Sequence, residues 1–304
     1  MTYEPFAPGP FPVGMRGGEV ADPARPGRVL PYEVWYPDRD EGKRGARHPL
    51  IVASHSSGGH KRQLAYLCAH LASHGYVVAA PDHVGSTAAD AAERARRAAR
   101  NDVLSAAARD ALIARMIADR VPDLRLIIST LLGSGTAKLS PSIDQGRIGL
   151  VGWSFGGWSV LATPEADERV GAVAAFAPAG ASNPLPGILP VTLTFAWKHK
   201  VPTLLLAAEQ DRSIPLSGVE ELYARVPSSK AMFVLRGADH GHFADPVVDP
   251  GPCTAEHAHL FTRGLTLAHM DAALKRSGDA ERFLAKVAIA QLRARGVDAA
   301  AHTH

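Results

Sequence analysis

The chain has 304 residues, 46% of them hydrophobic and 21% charged, ordinary values for a globular protein long enough to bury the core of one α/β domain over residues 1–304. A formal net charge of +3 over that length argues against a nucleic-acid binder, whose basic residues should be many and clustered. Two cysteines, Cys68 and Cys253, make neither a disulfide framework nor a metal site, and no apolar run approaches the ~20 residues of a membrane span.

Residues 1–6 show no positive stretch leading into an apolar one, so a cytoplasmic, reducing location is the expectation. After a Pro/Gly-rich start, residues 29–37 alternate apolar and polar positions like an antiparallel edge strand. Leu50–Ala53 is then the first of six short, nearly continuous apolar runs; the others are Tyr76–Ala80, Ile148–Val151, Val170–Phe176, Thr203–Ala208 and Ala231–Leu235. Most are followed by a helical stretch. Such runs alternating with helices describe strands buried on both faces of a parallel sheet, where reactive groups gather at the carboxyl ends.

The first run leads into Ser54-His55-Ser56-Ser57-Gly58-Gly59-His60, a loop of small residues whose backbone can approach a substrate. The second leads into Pro81-Asp82-His83. His55 and His83 both follow strands and are expected near the site, as loop hydrogen-bonding residues. Residues 86–120 are rich in Ala, Arg and Asp and longer than a simple crossover needs. They read as a small helical insertion over the site or as an elaborated crossover helix. Their basic run at 93–100 is a solvated helix face or a rim that attracts anionic substrates.

The third run ends in Gly152-Trp153-Ser154-Phe155-Gly156-Gly157. G-x-S-x-G between a strand and a helix is a nucleophile elbow, a turn so tight that the serine is strained and its Oγ exposed. Glycines two before and two after the serine are expected to face each other across that turn, where side chains would push strand and helix apart. A serine hydroxyl needs a base to take its proton, and the base needs an acid to hold its tautomer. Around an elbow these partners follow in the order Ser, acid, His. The run Thr203–Ala208 ends in Glu209-Gln210-Asp211, and Asp211 is the candidate acid with Glu209 its rival. Ala231–Leu235 leads into Gly237-Ala238-Asp239-His240-Gly241-His242-Phe243, where His240 and His242 are both candidate bases and His240 comes first. The oxyanion donors are expected to be the N–H groups of Phe155 and Ser57. Trp153, Phe155, Trp158, Phe195 and Trp197 could line an apolar acyl pocket or serve as core. From Ala255 onward the tail reads as a packing helix pair.

With these pieces placed, the chain resembles an α/β-hydrolase of the group that includes dienelactone hydrolases and platelet-activating-factor acetylhydrolases. The resemblance runs from Val34-Trp35-Tyr36-Pro37 through Ser54–Gly59, residues 81–85 and the elbow to Gly237-Ala238-Asp239-His240. It implies a mostly parallel sheet with helices on both faces, and it favours His240, because the acetylhydrolase stretch similar to residues 240–245 has its catalytic histidine first. Three departures stand out. Ser56 occupies a position usually held by Gly, and Ala174-Ala175-Phe176-Ala177-Pro178 lacks the acid that acetylhydrolases place there. The nucleophile is Ser where dienelactone hydrolases proper have Cys, which puts dienelactone itself in doubt as a substrate. The function expected is a serine carboxylic-ester hydrolase acting on small to medium esters, without metal or organic cofactor. An amide or acyl-peptide hydrolase, a polyester or lactone hydrolase, and a non-catalytic binding protein on the same fold are the alternatives.

Overall fold

The computed structural model describes residues 3–38, 47–133, 142–247 and 251–302. In chain order the elements are β1 (Val13–Ala21), β2 (Val29–Pro37), β3 (Arg47–Ser54), α1 (Ala65–Ser73), β4 (Val77–Pro81), α2 (Ala88–Ala99), α3 (Ala106–Leu132) and β5 (Ser142–Trp153). There follow α4 (Phe155–Ala166), β6 (Val170–Phe176), β7 (Thr203–Ala208), α5 (Leu216–Arg225), β8 (Lys230–Leu235), α6 (Ala255–Lys275), α7 (Gly278–Arg282), α8 (Ala288–Arg293) and β9 (Ala299–Ala301). Among the described residues nine strands form one sheet in the order β1-β2-β4-β3-β5-β6-β7-β8-β9. The run from β4 to β8 is parallel, and β1, β2 and β9 pair antiparallel at the two edges.

The central strands are buried on both faces, as their unbroken Val, Leu, Ile and Ala content requires: Leu50, Ile51, Val52, Leu150, Val151, Leu204, Leu205 and Leu206 are all fully buried. Helices α1 and α6 pack together on one face, and α3 and α4 together on the other. Register aligns the carboxyl ends. Ser54 of β3 lies opposite Gly152 of β5, Trp153 opposite Phe176 of β6, Phe176 opposite Leu206 of β7, and Ala208 opposite Leu235 of β8. The loops that leave this one edge therefore converge; Ser57, Ser154, Asp211 and His240 lie just past the strand ends there, with Trp153 closing β5 and Phe155 opening α4.

Helix α3 spans what the sequence suggested were two things. Its buried residues (Met116, Arg120, Asp123, Leu124, Ile127, Ile128 and Leu131) recur at three- and four-residue spacing, the stripe of a helix laid on a core. That stripe begins only at Met116. The turns before it are largely exposed, and α2 has no buried residue at all, although Thr87 and Asp90 close its N-terminus with a capping box. Residues 86–120 thus hold α2 and the exposed half of a helix whose other half is crossover. The tail is more broken than a helix pair: α6 is followed by α7, a π-helical turn, α8 and the edge strand β9.

Candidate active site

The elbow is built as its glycines require. Ser154 links β5 to α4 with φ 58° and ψ −118°, a conformation that a residue with a side chain keeps only when its surroundings hold it there. They do so through the backbone. Ser154 N–H donates to Phe176 O at 2.9 Å, and Ser154 O accepts from the N–H groups of Trp158 and Ala179, each at 3.1 Å. A Cβ on Gly152 would stand 2.3 Å from the Gly156 carbonyl oxygen, so these two positions do close on each other. A Cβ on Gly156 would instead meet Ser54 O at 2.1 Å; the end of β3, as much as the turn itself, keeps that position small.

Asp211, just beyond β7, has a side chain with no exposed surface, and each of its oxygens is engaged. Oδ1 accepts from the backbone N–H groups of Ser213 (2.8 Å) and Ile214 (2.7 Å), while Oδ2 lies 2.7 Å from His240 Nδ1. An ionised carboxylate only accepts, so His240 carries its proton on Nδ1 and leaves Nε2 free to accept. The His240 ring lies against Trp153, centroids 5.1 Å apart, and so beside the residue that precedes Ser154. The loop carrying His240 is fixed by Asp239, whose Oδ1 accepts from the N–H groups of Arg212 (3.0 Å) and His240 (2.7 Å).

The rival residues have other partners. Glu209 Oε2 accepts from Gly237 N–H at 3.1 Å on the exposed side of the loop. His242 is buried, with Nδ1 accepting from Asp239 N–H at 2.9 Å and Nε2 lying 3.1 Å from Cys253 O, and it ties the loop to the residues before α6. Phe155 packs on Trp158, while Trp158 and Trp197 donate their indole N–H groups to Thr192 O (2.7 Å) and Leu161 O (3.2 Å). Those two indoles, with Phe195 edge-on to Trp197, fasten the long loop after β6 onto α4. Beside the elbow, a cavity of about 260 Å³ is walled by Pro178, Ala179, Leu185, Ile188, Ser213 and Ile214. Cys68 is fully buried in α1, and burial pushes the Cys253 thiol up to about 11, so neither is poised as a thiolate.

Beneath the loop after β3 lies a second polar cluster. Ser54 Oγ is 3.0 Å from His83 Nε2, and His83 Nδ1 is 3.0 Å from Asp123 Oδ2. Arg28 grips the same carboxylate through Nε (2.8 Å) and Nη2 (2.6 Å). Burial, with Arg120 nearby, pulls His83 down to about 4. Burial alone would raise Asp123, but hydrogen bonds from His83 and Arg28 outweigh it and leave that carboxyl at about 2. His55 is held well below its ordinary range by burial and by Arg120; its Nε2 accepts from His83 N–H at 2.9 Å, which puts its proton on Nδ1, 2.7 Å from Ser56 O. His55 and His83 therefore lie near the site as structural histidines. Arg28, Arg120 and Asp123 were not anticipated. The signal for two of them was present, since a charged pair three residues apart on the apolar stripe of α3 has to be answered by partners inside the protein.

The dienelactone hydrolase family model matches residues 40–259, well over half of the chain. The chain belongs to that family. A Synechocystis protein described as a carboxymethylenebutenolidase is 30% identical over 112 residues, which cover 36% of this chain and 45% of that protein. The platelet-activating factor acetylhydrolase of Cavia porcellus is 25% identical over 228 residues, covering 67% of this chain and 50% of that enzyme, so the chain spans about half the length of the curated relatives it matches. Among solved structures, the ferulic acid esterase of Streptomyces cinnamoneus superposes with a TM-score of 0.67 at 21% identity, over 89% of this chain and 93% of the other. The family member described here thus has the α/β-hydrolase fold expected from its elbow and strand pattern. Among the described residues no helix is long and apolar enough to cross a membrane, and no group of three or more His, Cys, Asp or Glu could hold a metal ion.

Proposed function

We propose that this dienelactone hydrolase family member is a serine carboxylic-ester hydrolase whose triad is Ser154, His240 and Asp211. The observation that carries the reading is the His240–Asp211 pair at 2.7 Å, its ring beside an elbow that holds Ser154 at φ 58°. In the first half-reaction Ser154 Oγ attacks the ester carbonyl carbon and gives its proton to His240 Nε2. The tetrahedral intermediate expels the alcohol, which takes that proton, and an acyl-enzyme remains. Water then repeats the sequence on the acyl carbon with the same histidine. Asp211 holds the Nδ1–H tautomer and stabilises the imidazolium.

For the oxyanion, the donors are the N–H groups of Phe155, first in α4, and Ser57, after β3. Neither has an acceptor among the described residues, so each is available to a developing charge. Trp153 serves as a wall that fixes the His240 ring. The cavity of about 260 Å³ is the acyl pocket. It shares Ala179 and Ser213 with the segments that hydrogen-bond Ser154 and Asp211, and its size suits a short acyl group. The acetylhydrolase names among the relatives put acetyl esters first. We read α2 and the exposed turns of α3 as a flap over this edge, since their burial contrasts so sharply with the rest of α3. The test is a panel of aryl esters of increasing acyl length. Turnover should be highest for acetyl and short acyl groups and fall beyond them, whereas a rate rising steadily to long chains would remove that pocket from the account. An aryl amide turned over as fast as its ester would overturn the ester assignment.

A further inference from the structure

The mechanism proposed above makes no use of Arg120, a cation with no exposed surface in the middle of α3. A buried guanidinium is costly unless its donors are satisfied, and its partners here are specific. Nη1 donates to His55 O at 2.6 Å, and Nη2 donates to Ser56 O at 3.1 Å and to Ser86 Oγ at 2.5 Å. Its plane also lies over the Phe155 ring, 4.2 Å from the centroid. One side chain therefore grips the two consecutive carbonyls that precede Ser57 and also covers the residue that follows Ser154.

We infer that Arg120 is a positioning residue for the oxyanion site, locking the Ser56–Ser57 peptide so that Ser57 N–H faces the reacting carbonyl. The inference rests on the serine-hydrolase reading and deepens it. The reason is the geometry of one peptide unit. Ser56 O and Ser57 N–H belong to the same plane, and the bond between them is trans, so carbonyl and N–H point in opposite directions. Anchoring the carbonyl inward on Arg120 and on His55 Nδ1–H turns the N–H outward. Two donors on the Ser56 carbonyl, one from α3 and one from His55, fix the orientation of this peptide from the core. Hydrogen bonds accepted by a carbonyl also polarise its peptide and strengthen the N–H as a donor. The acceptors named for Arg120 are neutral oxygens, so its charge reaches the loop without a carboxylate in direct contact.

The experiment compares Arg120→Lys, Arg120→Gln, Ser86→Ala and Ser154→Ala with the unaltered chain on one acetyl ester. It records kcat, KM, melting temperature and the affinity for a trifluoromethyl ketone that mimics the tetrahedral intermediate. Lys keeps the charge but cannot bridge two carbonyls, and Gln keeps most of the volume without charge. Both should lose roughly tenfold to a hundredfold in kcat with KM nearly unchanged, less than the loss from deleting an oxyanion donor outright. Ketone affinity should fall in proportion. A residue that only stabilised the fold would lower the melting temperature and leave kcat of the folded fraction alone. Folded Arg120 variants with unaltered kcat would overturn the inference while an inactive Ser154→Ala left the hydrolase reading standing. An active Ser154→Ala would remove that reading first. Should neither Arg120 variant fold, Ser86→Ala decides: a fall of about threefold in kcat at constant KM supports the inference, and an unchanged kcat overturns it.

Discussion

Two sets of Ser, His and Asp lie at the same edge of this sheet, and they differ in almost everything except residue type. In the outer set, Ser154 is partly exposed, is held at φ 58°, and precedes α4 beside the Trp153 on which a histidine with an 18% accessible side chain packs. In the inner one, Ser54 ends a strand, and Ser54, His83 and Asp123 are at most 1% exposed. The inner serine donates a hydrogen bond to His83 Nε2, and both groups are buried away from any substrate. Among the described residues the outer histidine has a hydrogen-bond partner at Nδ1, Asp211, and none at Nε2. Three residue types in order do not make a catalyst; the proposed mechanism needs an accessible hydroxyl on a strained turn and a base with one ring nitrogen open. The inner set instead braces the loop that bears Ser57.

The contrast can be broken most decisively at the serines. Ser154→Ala should reduce ester turnover by roughly four to six orders of magnitude with the fold intact, while Ser54→Ala should stay within a few-fold in kcat and lose about 1–3 kcal/mol of stability. Parallel ester assays and denaturant melts measure both, and comparable kinetic losses would erase the distinction. The next largest effect is expected at the histidines. His240→Ala should be nearly as damaging as loss of the serine, and His242→Ala, which loosens a loop anchor, should be modest. A near-silent His240→Ala beside an inactive His242→Ala would reassign the base. Asp211→Asn should cost roughly ten-thousandfold in kcat by favouring the wrong tautomer of His240, with Glu209→Gln close to neutral. The reverse ranking in the same assay would move the acid to Glu209.

A smaller effect separates the inner set by pH. Burial lowers His83 to about 4 and holds His55 well below its ordinary 6.5. Both are neutral in the folded and unfolded chain above pH 6.5, so neither affects stability there. As pH falls below 6.5 the unfolded chain takes up protons that the folded chain refuses, and stability declines until about pH 4, where His83 itself begins to charge. Each such histidine contributes a slope of roughly 1.4 kcal/mol per pH unit. Melting temperature should therefore fall steadily between pH 6.5 and 4.5, with His83→Gln reducing the slope by about one proton's worth. A flat profile over that range would mean the inner histidines are not held neutral.

Much of this was legible before any coordinates. The apolar runs are strands because a sheet buried on both faces leaves no polar position to interrupt them, and the elbow is marked by glycines that sterics alone explain. The pairing of Asp211 with His240 was suggested by their places after β7 and β8. Less legible were β1, whose sequence has glycines at three of nine positions and no apolar face, and β9, three alanines that pair at the far edge. Neither strand announces itself by a continuous apolar run, because edge pairing rests on backbone hydrogen bonds. Arg120 was hidden for the opposite reason. Its role lies in which carbonyls its side chain meets across the fold, and only the juxtaposition of α3 with the loop after β3 reveals that.

Ser154, and not the buried Ser54, is the proposed nucleophile. Treating the protein with a fluorophosphonate and mapping the adduct by peptide mass spectrometry tests it directly. One adduct is expected, on the peptide containing Ser154, with ester hydrolysis lost in proportion to labelling. An adduct on Ser54, or full hydrolysis by protein that the probe leaves unlabelled, would contradict it.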